Sequence, residues 1–598
     1  MNLSPICEKL LESQELLFRH ICDLAGLFAI LALTAVALAG WGRLAARWIG
    51  LPRARAINAL EIWVGFAIVV GLVGLLHLVF PVDWRMSLAL AVIGLAGFCA
   101  IDRPVWKLNI LALVQFVKAH SWSVVLIALV LVIWGSRAMS PPTVYDSGLY
   151  HFSTIRWLNE YSIVPGLGNL HGRLAFNQSY FSFVALMNIS PIWNKGYAAA
   201  GVFLLLLSAA TVAEVGIHRM RGGIWIAGIL LLALAVYARS LSSPTPDIAV
   251  ALLQAIIFLV LAKLVLDHDN LDKSTVLYVS VLSLMCVVIV TIKLSAVMYA
   301  LTNMIIAWSL FAKVLIGHRV VVVKVLVICV VIGATHILRG YVLSGVPLYP
   351  NTFAGLWDLE WAMPIEAIQS EANWIYSWAR RPGFPSEQVL GNWQWLGFWI
   401  KSFPVKGWLI FGSALLLTLL NLYVTWFYRA RCRDRAAYVL YIPLVTSVLF
   451  WFVTAPAWRF LGLLPELLAL VSGWLFIRRL QEVGLSCLPG GLGFGRGLQG
   501  RLVIPIMLVF LELIRLKGAS LSGWQEIPSN PTQIKRTASG LQVYVPIAGD
   551  QCWNAPLPCT PYFNSMLGGR WNNPKEPDLG SGFISNAKSP NRSINSIK

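Results

Sequence analysis

The feature that most constrains this chain is a series of long, almost uncharged apolar runs separated by shorter polar segments. A run of about 17–25 apolar residues is long enough to cross about 30 Å of hydrocarbon as an α-helix. A helix also satisfies its own backbone hydrogen bonds in lipid, where no water can do so. The runs therefore predict an all-α integral membrane protein.

Composition supports this class over a soluble one. The chain is 58% hydrophobic and 12% charged, whereas soluble domains are about 45–50% apolar and about 25% charged. We expect about fourteen transmembrane helices. They are placed at residues 23–42, 59–80, 86–101, 122–138, 197–216, 223–238, 247–265, 276–292, 296–315, 321–338, 407–426, 436–452, 460–478 and 502–515.

Basic residues give the expected orientation. The net charge of +19 does not indicate nucleic-acid binding, because Lys and Arg of polytopic proteins collect in cytoplasmic loops. With this helix count the arginine-rich loops all lie on one side, which we expect to be cytoplasmic. These loops are 43–58, 217–222, 427–435 and 478–501.

We divide the chain into three parts. Residues 1–515 are expected to form the transmembrane domain, whose long loops 139–195 and 339–405 lie on the outer face and form the site. Residues 516–570 are expected to form a small α+β tail domain on the same face. Residues 571–598 are rich in Asn, Ser, Pro and Lys and are expected to be disordered.

Two features of the tail domain stand out. The stretch Gly540–Pro546 alternates apolar and polar residues, which is typical of a strand. Cys552 and Cys559 flank a short loop that contains proline. They would close a disulfide if the tail lies outside the cytoplasm, because disulfides persist in oxidising compartments.

The first outer loop carries the leading catalytic candidate. The stretch Tyr145-Asp-Ser-Gly-Leu-Tyr-His151 follows a membrane run and places Asp146 among aromatic residues rather than other charges. Asp146 is either an ordinary solvated loop charge or helix cap, a position that Asp favours, or a general base, because partial desolvation raises the pKa of a carboxyl group. In the second interpretation Tyr145, Tyr150 and His151 contact the substrate.

A second carboxylate, Asp247, follows Ser242-Ser-Pro-Thr-Pro at the outer mouth of a predicted helix. It is either an ordinary acidic residue of a first helical turn, where the helix dipole favours negative charge, or a second catalytic carboxylate. In the latter case it faces the same cavity as Asp146.

Three cations are expected on the same face. Lys293 interrupts a membrane run, and such a residue is either functional or extends its amine to the interface. Arg339 begins the outer loop 339–405, and Arg459 lies at the outer end of a later helix. Each arginine is either an interfacial anchor or a phosphate ligand, because the guanidinium group offers paired donors in one plane. The set indicates a phosphate-bearing substrate held beside a base.

We expect no cofactor. His171 shares the first outer loop with Asp146 and His151, but no close pair of histidine and carboxylate has the spacing of metal ligands. A divalent metal is an alternative that these residues do not favour. Hydrogen-bonding or structural roles suit both histidines better.

A resemblance to known proteins is carried by four stretches: Tyr145-Asp-Ser-Gly-Leu-Tyr-His151, Val164-Pro-Gly-Leu-Gly-Asn-Leu-His-Gly-Arg-Leu-Ala-Phe-Asn177, Ser344-Gly-Val-Pro-Leu-Tyr-Pro350 and Cys552 to Cys559. Together they resemble a family of large bacterial polytopic membrane proteins of unassigned activity. The resemblance covers nearly the whole chain, and the first two stretches are its most specific part.

The arrangement is also similar to the GT-C class of glycosyltransferases. Those enzymes have many helices, an acidic residue in the first large outer loop and a sugar donor carried on a polyprenyl phosphate. The likeness implies that Asp146 is the catalytic acidic residue. The chain departs from the class in two ways: only Asp146 is acidic in the motif, where paired acidic residues are frequent, and Ala457 stands where an acidic residue is expected before Arg459.

We therefore expect an inverting membrane glycosyltransferase on the periplasmic face of the bacterial inner membrane. It would move a sugar from a polyprenyl-phosphate-linked donor to a glycan or lipid acceptor of the envelope. Asp146 would act as the base with help from Asp247, and Lys293, Arg339 and Arg459 would stabilise the departing phosphate. The expected partners are these two substrates and membrane lipids, and binding of nucleic acid is not expected.

Two other functions remain open. A transporter or flippase of a lipid-linked or polar solute predicts charges deep within helices and broken helices in paired halves, and few such charges occur. A non-catalytic partner of an envelope polymerase or ligase would use the tail as a docking module. Catalysis predicts that Asp146, Asp247 and Arg459 converge in one outward cavity.

Overall fold

The computed structural model is helical over most of the chain, which confirms the prediction that the protein is mainly α-helical. The structure describes residues 4–51, 58–101, 115, 121–219, 223–267, 273–352, 359–428, 436–483, 523–570 and 578–585. In chain order the helices are α1 (Ser4–Ile49), α2 (Ala59–Leu76), α3 (Trp84–Ile101), α4 (Ser121–Ala138), α5 (Phe152–Glu160), α6 (Ser179–Asn188), α7 (Gly196–Thr211), α8 (Gly223–Ala235), α9 (Pro246–Leu266), α10 (Lys273–Ile292), α11 (Val297–Leu310), α12 (Ala312–Gly317), α13 (Arg319–Ser344), α14 (Ile365–Arg380), α15 (Ser386–Val389), α16 (Trp395–Ser402), α17 (Val405–Phe427), α18 (Tyr441–Thr454) and α19 (Leu464–Glu482).

Within the described ranges, 8 helices are long and apolar enough to cross a membrane. Four shorter apolar helices contain 10–17 residues each: Trp84–Cys99, Val124–Ala138, Ile226–Ser240 and Leu294–Leu310. These short helices, together with the more charged α19, account for most of the difference from the predicted fourteen. The predicted helix 502–515 lies outside the described residues.

The centre of the bundle is formed by α9 and α10. In α9 94% of the most apolar 18-residue window is buried inside the protein, and in α10 the value is 89%. In α13 and α17 it is 22% for each, so these two helices turn most of their apolar surface outward. Such a surface suits lipid, since lipid chains are as apolar as the side chains they replace.

The connecting segment 139–195, predicted to be the first outer loop, folds into a layer of short elements. A π-helical turn, Ser147–His151, continues into α5, so the chain is helical from Ser147 to Glu160. The prediction that Arg339 begins the second outer loop is wrong, because α13 continues to Ser344. It ends there at Gly345, whose φ of 85° is the left-handed conformation that glycine adopts easily at a helix end.

The tail domain contains two small antiparallel sheets. Strand β1 (Thr532–Arg536) pairs with β2 (Gln542–Pro546), the strand predicted from alternation, in the register Thr532↔Pro546. Strand β3 (Leu567–Gly569) pairs with β4 (Phe583–Ser585). Strand β4 lies inside the segment predicted to be disordered, and the segments 571–577 and 586–598 lie outside the described residues.

Helices α1, α2 and α3 pack through glycines at backbone contact. A Cβ added to Gly40 of α1 would lie 1.8 Å from the carbonyl oxygen of Gly94 in α3. A Cβ added to Gly65 of α2 would lie equally close, at 1.8 Å, to the carbonyl oxygen of Leu38. Small residues let membrane helices approach this closely, and the contact then gains dispersion energy along both backbones.

We predict that Gly40→Ala lowers the melting temperature of the detergent-solubilised protein, because the added methyl group forces α1 and α3 apart. Gly26→Ala is the matched control on the same helix, since nothing lies within 4 Å of its Cβ position. That variant should melt at the wild-type temperature or slightly above it, because Ala favours a helix over Gly by about 1 kcal/mol. Equal melting of the two variants would contradict the close packing of α1 on α3.

Candidate functional site

Asp146 lies between two arginines. It precedes the π-helical turn Ser147–His151 and makes no side-chain capping bond there, so it does not serve as a helix cap. The Nη1 atom of Arg459 lies 2.9 Å from its Oδ2 atom, and the Nη1 atom of Arg173 lies 3.4 Å from its Oδ1 atom. Both bonds are charge-assisted, and the bond to Arg459 joins residues that are 313 positions apart in the chain.

Arg173 was not selected from the sequence, and it is the most connected residue of the site. It lies in a short 3₁₀ turn, Gly172–Phe176, with its side chain only 9% exposed. Besides Asp146, its Nε atom faces Glu371 at 3.5 Å, and its guanidinium group lies 4.8 Å from the ring centre of Trp374. Burial raises the pKa of the Glu371 carboxyl group, and the positive charge of the nearby Arg173 partly offsets this rise. The position of Arg173 inside the motif Val164–Asn177 was the one sign in the sequence that pointed to it.

Asp247 and Lys293 form a second ion pair. Thr245 caps α9, Pro246 occupies its first turn, and Asp247 follows, as expected for an acidic residue near a positive helix end. Lys293 lies in extended backbone at the break between α10 and α11. Its Nζ atom lies 2.5 Å from the Oδ1 atom of Asp247.

Phe460 joins the two ion pairs. The amine of Lys293 lies 4.3 Å from the centre of its ring, and the guanidinium group of Arg459 lies 5.1 Å from it. The structure therefore brings Asp146, Asp247, Lys293 and Arg459 into one cluster, which we call the carboxylate–cation cluster and which also includes Arg173. Its members come from α9, the α10–α11 break and three connecting segments.

The aromatic residues and histidines of the loop surround Asp146 in different ways. The side chain of Tyr145 is 58% exposed, and its hydroxyl bonds to Asp550, which raises the pKa of the phenol to about 12. Tyr150 is buried, and burial raises the pKa of its phenol. Burial also lowers the pKa of His151 to about 4 and, with the neighbouring Arg173, that of His171 to about 3. Both imidazoles are therefore neutral at neutral pH.

Arg339 does not contact the cluster. Its Nη1 atom lies 2.7 Å from Nδ1 of His77, and its Nε atom donates to Oδ1 of Asn177 at 3.0 Å. Burial lowers the pKa of His77 well below its usual value, so its ring is neutral and accepts this bond while Nε2 faces the Tyr161 carbonyl oxygen. These contacts tie α13 to α2 and to the first outer loop, which is a positioning role.

The tail domain packs on the loop that carries Asp146. The amide of Trp553 donates to the carbonyl oxygen of Gly148 at 2.9 Å, and Nε2 of Gln551 donates to the backbone carbonyl oxygen of Tyr145 at 2.8 Å. Cys552 and Cys559 form a disulfide around this loop of the tail. The tail thus packs on the π-helical turn and on the residue that precedes Asp146.

In the parts of the chain that the structure describes, no group of three or more His, Cys, Asp or Glu residues could hold a metal ion.

We predict that Gly148→Ala loosens the tail, because the new methyl group would lie 2.5 Å from the indole of Trp553. Limited proteolysis of the purified protein should release tail fragments faster than from wild type. Adding Trp553→Ala to this variant removes the clash. The double variant should therefore resist proteolysis better than Gly148→Ala does, and about as well as Trp553→Ala alone. Wild-type resistance of the Gly148→Ala protein would show that the tail does not pack on this turn.

The chain was compared with known proteins. No curated protein sequence and no solved structure matches it. A family model described as "Domain of unknown function (DUF8201)" matches residues 25–463, a range that contains every member of the carboxylate–cation cluster and ends before the tail domain. Because this match covers most of the chain, the protein belongs to the family of this domain of unknown function.

Proposed function

We propose that the protein is a membrane glycosyltransferase that uses a polyprenyl-phosphate-linked sugar donor. The observation that supports this most is the carboxylate Asp146 held between Arg173 and Arg459, beside the pair of Asp247 and Lys293. A base and several cations in one cluster suit a reaction that removes a proton and releases a phosphate. GT-C enzymes are the architectural analogy, and fold analogy alone does not establish an activity.

The ion pairs suggest how the donor activates the base. Without a ligand, Asp146 occupies both guanidinium groups. A donor phosphate carries negative charge and several acceptor oxygens, so it competes for the donors of Arg459, whose side chain is 48% exposed. Donor binding then releases the Oδ2 atom of Asp146 to accept a proton, while Oδ1 stays paired with Arg173. Asp146 is 15% exposed, so little water competes for it.

The proposed transfer is a single displacement. A hydroxyl of the acceptor loses its proton to Asp146 and attacks the anomeric carbon of the donor sugar from the face opposite the phosphate. The bond between the anomeric carbon and the phosphate oxygen breaks, and its electron pair leaves with the lipid phosphate. Arg459 and Lys293 stabilise the charge that develops there, and Asp247 orients Lys293 or the acceptor. The configuration at the anomeric carbon inverts.

In this proposal the reaction takes place on the periplasmic face of the bacterial inner membrane, and the acceptor is an envelope glycan or lipid. The orientation rests on the arginine-rich loops of the opposite face. No step requires a metal ion.

We predict that Asp146→Asn abolishes transfer, because an amide cannot accept the proton of the hydroxyl. Surface glycans of cells lacking the gene should be compared by mass spectrometry after complementation with wild type, Asp146→Asn or Glu160→Gln. Glu160 is the matched control, since it forms an exposed pair with Arg156 in the same outer loop, which contributes little to stability. The lost glycan should return with wild type and Glu160→Gln only. Full restoration by Asp146→Asn at equal membrane level would refute a catalytic role.

We predict that Arg459→Gln weakens binding of the donor phosphate roughly tenfold or more, the effect of losing about 1.4 kcal/mol of charge-assisted bonding. Native mass spectrometry would compare retention of polyprenyl monophosphate with that of the uncharged polyprenol. Wild type and the outer-loop control Arg156→Gln should prefer the phosphate, and Arg459→Gln should not. If all three retain both lipids equally, the cluster does not bind phosphate. If wild type retains polyprenyl monophosphate and Asp146→Asn nevertheless restores the glycan fully, a flippase would be favoured.

A further inference from the structure

A separate cavity lies next to the carboxylate–cation cluster. It has a volume of about 310 Å³ and is formed by one face of α14 and the turn that follows it. The lining consists of Ser370, Trp374, Ser377, Trp378, Gly383, Phe384, Pro385 and Ser386. Sites for small ligands begin at about 300 Å³ and combine aromatic walls with a few polar groups, so this cavity has the size and lining of a ligand site.

Two indoles form its main wall. Trp374 and Trp378 are four residues apart on α14 and stack with ring centres 4.9 Å apart and planes 14° apart. They remain 43% and 42% exposed. Broad aromatic surface left in contact with water is favourable to cover, because apolar area gains free energy on leaving water.

Another lining residue, Phe384, packs against a cation. The guanidinium group of Arg381 lies 3.5 Å from the ring centre of Phe384 and 5.5 Å from that of Phe398. Contacts of this kind fix the orientation of the Phe384 ring. A wall that is already in place costs a ligand little conformational entropy on binding.

Three hydroxyls supply polar contacts. The hydroxyl of Ser377 donates to the carbonyl oxygen of Trp374, and that of Ser386 donates to the carboxylate of Glu387. A hydroxyl that donates one bond still offers its oxygen as an acceptor. No lining residue carries a charge, so nothing in the wall would repay the desolvation of an ionic ligand.

These properties fit one chemical class. A sugar ring has an apolar face of C–H groups that covers an indole and a rim of hydroxyls that bonds to serine oxygens. We propose that this cavity binds a neutral pyranose unit of a glycan through Trp378 and the neighbouring serines.

The cavity is connected to the proposed catalytic carboxylate by two side chains. Trp374 lines the cavity and also contacts the guanidinium group of Arg173, which pairs with Asp146 at 3.4 Å. A glycan seated on Trp378 is therefore placed beside the cluster. Its assignment as the acceptor rests on the proposed transferase function, whereas the binding of a sugar does not.

The test is saturation-transfer NMR with the full-length protein in phosphatidylcholine nanodiscs, because glycoside detergents carry sugars of their own. The probes are cellobiose and chitobiose, with sorbitol as an open-chain polyol that lacks a ring face. We expect saturation of ring C–H protons for at least one disaccharide and none for sorbitol. Trp378→Ala should weaken binding about tenfold, the factor that corresponds to losing one stacked aromatic contact, and Trp378→Phe should restore part of it.

Trp393→Ala is the matched control, because Trp393 is an exposed indole of the same outer segment, stacks on Trp395 at 5.6 Å and does not line the cavity. It should bind like wild type. Absence of sugar binding in wild type, or equal binding by Trp378→Ala, overturns the sugar site and leaves the transferase proposal standing. Saturation of short-chain phosphatidylcholine that is weakened by Trp378→Ala, in the absence of sugar binding, assigns the cavity to lipid and also overturns the sugar site. Sugar binding together with full glycan restoration by Asp146→Asn keeps the sugar site and refutes the transferase.

Discussion

The membrane is the constraint on which the rest of this structure depends. Each backbone group within hydrocarbon must find its hydrogen bond inside its own helix, so polar chemistry is restricted to the ends of helices and to the loops beyond them. The carboxylate–cation cluster obeys this rule. Asp247 lies in the first turn of α9, Lys293 at the break that follows α10, and Asp146 and Arg459 in segments that adjoin helix ends.

A second consequence is that the connecting segments and the tail form one layer over these helix ends. The first outer loop contributes Asp146 and Arg173, the second contributes Glu371 and Trp374, and the tail covers the turn after Asp146 through Trp553. Arg173 links the ion pairs to the aromatic cavity, because one guanidinium group contacts a carboxylate and an indole together. Burial of its long side chain gives the layer a shared polar centre, which an exposed ion pair would not provide.

Sequence patterns predicted the helical membrane class, the positions of most helices and the strand at Gln542–Pro546. They also selected Asp146, Asp247, Lys293 and Arg459. Charged residues beside apolar runs are few, and because they are costly there, each is a candidate for a functional role. They did not identify Arg173, because an arginine in a polar loop resembles a solvated one until its burial is known. They placed Arg339 in a loop, whereas α13 continues past it to a cap at Gly345.

The sequence by itself therefore determined which segments suit lipid and which suit water. Hydrophobicity and charge are local properties of a segment, and the length of an apolar run decides whether it can span the hydrocarbon. Only the tertiary structure decided which polar residues meet. Arg459 and Asp146 are 313 residues apart in the chain, and no local pattern encodes their contact. Their pairing depends on how the helices pack around α9 and α10, and therefore on contacts between side chains distributed over the whole bundle.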